Sequence, residues 1–133
     1  MFRISVEVPS AEEFLGLRAS AGMGPRSPKG VRQGLGNELY CVVLRTNDGD
    51  ELVGMGRVVG DGGTVFHICD MVVKPEWQMK GGGTMIMDAL MGFIEELGVS
   101  DAYVNLIADV EGFYEKWGFK PTLPRSKGMF LKS

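Results

Sequence analysis

The chain has 133 residues, 44% of them hydrophobic and 23% charged, which suits one domain able to bury a core in water. Its 14 Lys and Arg against 17 Asp and Glu give a formal charge of −3, so no chain-wide basic field points to nucleic acid. No apolar run approaches the roughly 18 residues of a membrane span, so no membrane partner is expected. Cys41 and Cys69 stand far apart in apolar stretches, without metal or redox spacing, and read as buried thiols of a cytoplasmic protein.

In chain order, "FRISVEV" alternates and reads as a strand rather than as a secretory leader. Pro9 ends it. Ser10 with Glu13 forms a capping box that opens a helix, "AEEFLGLRAS". "AGMGPRSPKGVRQGLGN" is a long Gly- and Pro-rich loop with room for one helical turn around Val31 to Leu35, and a loop of this length is more often functional than idle. "LYCVVLRT", "LVGMGRVVG" and "TVFHICDMVV" are three strands joined by the turns "NDGDE" and "DGG", an antiparallel meander that Lys74-Pro75 stops. A helix from about Gly82 to Leu97 follows, with Ile86, Ala89, Leu90, Phe93, Ile94 and Leu97 on its core face. "DAYVNLIA" reads as a strand, "DVEGFYEKWGF" as a short helix ended by Gly118, and "GMFLK" as a last strand. The order β-α-loop-βββ-α-β-α-β describes a mixed α/β (α+β) domain, with a mostly antiparallel sheet flanked by helices.

Three glycines, Gly81 to Gly83, stand at the mouth of the long helix, although glycine is about 1 kcal/mol worse than alanine in a helix interior. The first N–H groups of a helix lack intrahelical partners and carry partial positive charge. Without Cβ atoms in front of them, a phosphate or pyrophosphate can come close. Two nucleotide motifs fail here. A P-loop needs G-x-x-x-x-G-K-S/T, and no Gly-Lys pair followed by Ser or Thr occurs. A dinucleotide fingerprint needs a sixth-position glycine, and from Gly81 that position is Ile86.

The stretch "VVKPEWQMKGGGTMIMDAL" resembles the acyl-coenzyme A loop of the GNAT superfamily of N-acyltransferases. The pattern V-x-P-x-x-Q/R-x-x-G-x-G/A is met by Val73, Pro75, Gln78, Gly81 and Gly83. "FYEKWGF", Phe113 to Phe119, is similar to a second element of that family, and "HICDMVV" to the substrate-facing strand of its arylalkylamine and glucosamine-phosphate members. The resemblance implies that residues 1–133 form a single GNAT-like domain using acetyl-coenzyme A and no metal. The pyrophosphate would sit on Gln78, Met79, Lys80, Gly81, Gly82, Gly83 and Thr84, with Lys80 either a contact or a solvated lysine. The pantetheine arm would pair with Met71, Val72 and Val73, where β-strands four and five of the fold splay apart. Tyr114 matches the general acid that protonates the leaving thiolate.

For the base, His67 is the sole histidine. Strand alternation puts His67, Cys69 and Met71 on one face and Phe66, Ile68 and Asp70 on the other. The resemblance places histidines at the positions of His67 and Cys69; only the first is present. His67 is then a base or a hydrogen-bonded structural residue, and Asp70 a structural anchor or part of a proton relay. Ile107 stands where the family often has Asn. The segments around the acceptor pocket, again by resemblance, are the basic loop with Arg26, Lys29 and Arg32 and the basic tail with Arg125. Arg26, Arg32, Cys69 and Arg125 are the candidate acceptor contacts. The expected activity is transfer of an acetyl group to a primary amine of a small molecule, in a protein that could be a homodimer. A protein amine as acceptor, or an acyl-coenzyme A-binding regulatory module, are the alternatives.

Overall fold

The computed structural model describes residues 1–133. Strand β1 (Phe2–Val6) leads to helix α1 (Ala11–Ser20), which opens on the expected capping box: Ser10 Oγ accepts from the Glu13 N–H, and the Glu13 carboxylate accepts from the Ser10 N–H. The long loop holds a complete short helix, α2 (Pro28–Gly34). Ser27 caps it by accepting from the Gly30 N–H, and Pro28 occupies its first turn, where a missing N–H costs nothing. Strands β2 (Tyr40–Thr46), β3 (Leu52–Gly60) and β4 (Val65–Val73) form the meander. A 3-10 turn (Pro75–Trp77), helix α3 (Gly82–Leu97) and strand β5 (Tyr103–Leu106) complete the crossover.

The five strands lie in sequence order; β1 to β4 are antiparallel and β5 runs parallel to β4. The sheet is covered on both sides, which is why its middle strands carry apolar residues in succession. Val42, Leu44, Val53, Val58, Phe66 and Ile68 face Ile86, Met87 and Leu90 of α3. Cys41, Val43, Leu52, Met55 and Val72 face Phe14 and Leu17 of α1 and Val31 of α2. Met87 rather than Leu97 completes the α3 core face; Leu97, in the last turn, is exposed.

Two expected elements differ. The helix expected over "DVEGFYEKWGF" is only a 3-10 helix, Tyr114–Trp117, because left-handed Gly112 (φ 78°) and Gly118 (φ 91°) interrupt regular backbone on either side of it. "GMFLK" is not a strand: Met129, Phe130 and Leu131 are exposed. A run becomes a strand only where a sheet edge takes up its N–H and C=O groups. This tail instead crosses the end of the sheet. A Cβ on Gly128 would lie 3.4 Å from Ile107 Cδ1, and one on Gly24 would lie 3.8 Å from Lys132 Nζ.

Candidate active site

β4 and β5 pair over four residues only, from Val65–Tyr103 to Ile68–Leu106. Beyond that, β4 stays with β3 while the chain after β5 turns away. A cleft opens between them. Ile68, Cys69, Asp70 and Met71 form its β4 wall; Leu106, Ile107, Asp109 and Tyr114 form the opposite wall; Met23 closes one end. No strand pairs with Asp70–Val73 from the β5 side, so an extended ligand can add to that edge.

The β4 wall is bent by a β-bulge. Arg57 pairs with Cys69 and Met55 with Val72, so Asp70 and Met71 together oppose Gly56. Asp70 has φ 54°, a left-handed conformation rare outside glycine but tolerated by Asp. This overturns the expected alternation beyond Cys69. Met71 turns to the α3 side, where its sulfur, Ile86 and Leu90 fill the space a Cβ on Gly56 would need. Asp70 turns to the opposite side. There its Oδ1 accepts from Arg18 NH1 at 2.7 Å and its Oδ2 from Arg57 Nε at 2.8 Å. Arg57 also reaches Glu38, 3.1 Å away, and Arg18 NH2 donates to the Gly24 carbonyl. Glu38, Arg57, Asp70 and Arg18 therefore form a chain of two carboxylates and two guanidiniums, with side chains 3–15% exposed. With each oxygen held by a guanidinium, Asp70 has the geometry of an anchor joining α1 to the bulge.

At the α3 mouth, Gly81 (φ 83°) is the N-cap and supplies no side chain to the helix. The N–H groups of Gly82, Gly83 and Thr84 have no partner; the first intrahelical bond runs from Met85 to the Gly81 carbonyl. Met79 is also left-handed, φ 64°. Such alternation turns successive N–H groups into one concavity that suits an anion. No acid stands in the first turn, and exposed Lys80 has no ion pair. The three glycines have different reasons. Gly81 meets its backbone angle, with open space where its Cβ would be. A Cβ on Gly82 would lie 2.8 Å from Leu44 Cδ1, and one on Gly83 3.2 Å from Phe113 Cζ. Gly82 and Gly83 thus let the helix mouth sit on the core and on the aromatic cluster. Gln78 braces the loop, its Nε2 donating to the Val73 carbonyl at 2.9 Å.

Tyr114 enters the cleft from the 3-10 helix, which is held to α3 by the Trp117 Nε1 bond to Asp88, 2.9 Å. Phe113 stacks edge-on against Tyr114 and Trp117. Burial, and then the Asp109 carboxylate, push the Tyr114 hydroxyl above its ordinary value, so it keeps its proton at neutral pH. His67 lies outside the cleft wall, toward the paired part of β4. Its Nδ1 is 2.7 Å from Asn105 Oδ1, and Asn105 Nδ2 donates to the Phe66 carbonyl. With the amide oriented that way, Nδ1 carries the proton and Nε2 is left as the acceptor. Cys69 lines the cleft, but burial, reinforced by Asp70, pushes its thiol up to about 12, so it is no nucleophile.

A family model, "Acetyltransferase (GNAT) domain", matches residues 26–129. The chain belongs to the GNAT acetyltransferase family. A Staphylococcus aureus protein of unknown function, called a probable acetyltransferase, is 42% identical over the whole of both chains, with a TM-score of 0.94. A GNAT-family acetyltransferase of Streptococcus pneumoniae is 27% identical, covering 100% of this chain and 98% of that one, with a TM-score of 0.81. The uncharacterised N-acetyltransferase ycf52 of Pyropia yezoensis is 29% identical over 84% of this chain and 65% of its own length, so the GNAT chain spans about two thirds of that relative. A glucosamine-6-phosphate N-acetyltransferase from Arabidopsis thaliana, 20% identical with a TM-score of 0.66 over 100% of this chain and 97% of that one, shares the fold.

In this GNAT chain the structure brings Met71, Cys69, Asp70 and Tyr114 to one cleft, with the glycine loop as a separate cradle. Arg32 on α2 and Arg125 in the tail line neither the cleft nor a second cavity, between the end of α1 and the loop after it; both are exposed. Arg26 does line that cavity, beside Arg18. Asp109, Arg18 and Glu38 escaped the sequence reading, and Asn105, which the sequence ranks low by placing it on the opposite face, pairs with His67. Asn105 follows from the β4–β5 register alone, since parallel neighbours share a face; the others needed the tertiary fold. No group of three or more acidic, His or Cys side chains is arranged to hold a metal ion, and no helix is long and apolar enough to cross a membrane.

Proposed function

We propose that the chain transfers an acetyl group from acetyl-coenzyme A to a primary amine of a small molecule, by direct attack in a ternary complex. The observation that carries this is the cleft at the β4–β5 divergence, with a protonated tyrosine in one wall and an unpaired strand edge in the other. The open N–H groups from Gly82 to Thr84, with Lys80 nearby, fit the coenzyme pyrophosphate. Met71, Val72 and Val73 offer the edge for pantetheine, and a free N–H there polarises the thioester carbonyl. The amine nitrogen attacks the carbonyl carbon, the carbon–sulfur bond breaks, and Tyr114 gives its proton to the departing thiolate. Alkylamines have pKa values near that of lysine, about 10.4, so the ammonium must first lose a proton. We assign this to His67 Nε2 through intervening water, with Asn105 fixing the tautomer and Asp70 as anchor rather than relay. Cys41, buried, and Cys69, partly buried, form no disulfide, which supports a reducing compartment that we take to be the cytoplasm.

Calorimetry with acetyl-coenzyme A, coenzyme A and ATP, on wild type, Tyr114→Phe and Lys80→Glu, tests the reading. Both coenzymes should bind and ATP should not. Lys80→Glu should weaken acetyl-coenzyme A by about tenfold. Tyr114→Phe should keep the affinity and lose about 100-fold in thiol release. Coenzyme affinity with no thiol release from any amine would instead identify a binding module. No coenzyme affinity would overturn the whole proposal.

A further inference from the structure

A second cavity of about 230 Å³ adjoins the cleft, between the end of α1 and the loop that follows it. Leu15, Arg18, Ala19, Met23, Pro25 and Arg26 line it, with the Gly24 backbone. Met23 is shared with the cleft, and Arg18 reaches the cleft wall through Asp70.

The charges here do not balance. Within the buried chain, Asp70 and Glu38 neutralise Arg18 and Arg57. Arg26 and Lys132 come in addition. A Cβ on Gly24 would stand 3.8 Å from Lys132 Nζ and 4.0 Å from Arg26 NH1, so both cations converge on one point. Neither has an ion pair, and Arg26 NH1 donates only to the carbonyl of the preceding Pro25. No acidic residue lies between Glu13 and Glu38, and none lines the cavity. Arg18 is 4% exposed, and its Nε is a buried donor without a partner. A buried unmet donor on a charged group is costly, and like charges brought together repel. Burial and, next, the charge of Arg26 push the Arg18 guanidinium down, the direction expected where positive charge is in excess. An anion between Arg26 and Lys132 would offset this excess of positive charge.

Resting on the acetyl-transfer reading, we infer that this cavity is an anion subsite, so that the accepted amines carry a carboxylate or phosphate monoester a short spacer away from the nitrogen. The anion sits between Arg26, Lys132 and the Arg18 edge; the spacer passes Met23; the amine reaches the cleft beside Tyr114. Guanidinium groups suit either oxyanion. The tail contributes through Lys132, which gives its exposed course a function.

The test uses the full chain and pairs of amines that differ by one anionic group: 4-aminobutyrate against its carboxamide, and O-phosphoethanolamine against ethanolamine. Turnover is followed by thiol release, and the Arg26 Nε–H signal by nuclear magnetic resonance. The anionic member of at least one pair should lead in kcat/KM by about tenfold or more. The pair that leads distinguishes carboxylate from phosphate. The same anion should shift the Arg26 signal, and in Arg26→Gln and Lys132→Gln the preference should fall toward parity. Wild type that binds acetyl-coenzyme A but turns over both members of each pair equally would overturn the subsite and leave the acetyl-transfer reading standing. An unmoved Arg26 signal up to the solubility limit of both anions would also overturn it. An Arg26 shift in a chain that fails to bind acetyl-coenzyme A would support the anion site while overturning the reading of the reaction.

Discussion

Gly82→Ala separates packing from ligand access at the glycine loop. The new Cβ would lie 2.8 Å from Leu44 Cδ1, 3.4 Å from Phe2 Cζ and 3.7 Å from Val73 Cγ2. Carbon atoms in good contact sit about 3.5–4.0 Å apart, so Leu44 must move by close to an ångström. It has nowhere to go: Leu44 is fully buried, in the core layer with Val42 and Val53. Overpacking of this kind costs about 1–3 kcal/mol, against at most about 1 kcal/mol gained in helix propensity. The net loss should be about 1–2 kcal/mol, or roughly 3–8 °C in Tm for a chain of this size. Urea denaturation gives the first number and thermal melting the second. Alanine keeps its own N–H, so acetyl-coenzyme A affinity of the folded protein should stay within about threefold. A variant as stable as wild type that no longer binds the coenzyme would refute the packing argument, and would mean that the Gly82 Cα faces the ligand. Gly81→Ala is the complementary case. Space is open there, but φ 83° costs a non-glycine residue about 1–2 kcal/mol.

Asp70→Asn removes the charge shared by two largely buried guanidiniums and should cost about 3–5 kcal/mol in urea denaturation; a loss below 1 kcal/mol would leave the anchor role without support. Glu7 and Glu13 are both held below the ordinary carboxylate range by hydrogen bonds to Arg45, Glu13 at about 2. Their folded values lie below the unfolded one, so this stabilisation is complete above about pH 4.5 and lost as pH falls toward 2. Tm measured down that range should drop, and Glu13→Gln, which can keep the capping box, should flatten the slope. With Cys41 and Cys69 both pushed up to about 12 by burial, only about one thiol in ten thousand is ionised at pH 8. Ellman's reagent should label neither until the protein unfolds, and rapid labelling of Cys69 would contradict a desolvated thiol in the cleft wall.

What the sequence made legible was local. Ser10 and Glu13 set the start of α1, Gly81 and Gly98 bracket α3, and the Asn-Asp-Gly and Asp-Gly-Gly turns define the meander, because each signal lies within a few residues of its effect. The glycine turn at the mouth of α3 was legible for the same reason. The ion chain was not: Arg18 and Asp70 are 52 residues apart, and nothing near either names its partner. Nor was the course of the tail, since an apolar run cannot reveal whether a sheet edge awaits it.

The bulge at Asp70 shows why a local rule failed at the cleft. Alternation assumes one residue per partner, and here two residues share Gly56. Gly56 permits this because Ile86, Leu90 and Met71 crowd the position its side chain would take, and those residues come from elsewhere in the chain. The consequences go together. Met71 leaves the face of Cys69 for the α3 core. Asp70 swings round to Arg18 and Arg57. Pairing with β5 ends at Ile68, two residues before the bend, which leaves the edge of the next residues open. A flat β4 could have kept pairing with a longer β5 and closed the cleft. The bulge that defeats the sequence reading of Asp70 is thus the same feature that separates β4 from β5, and the Asp70 ion pairs are what hold it bent.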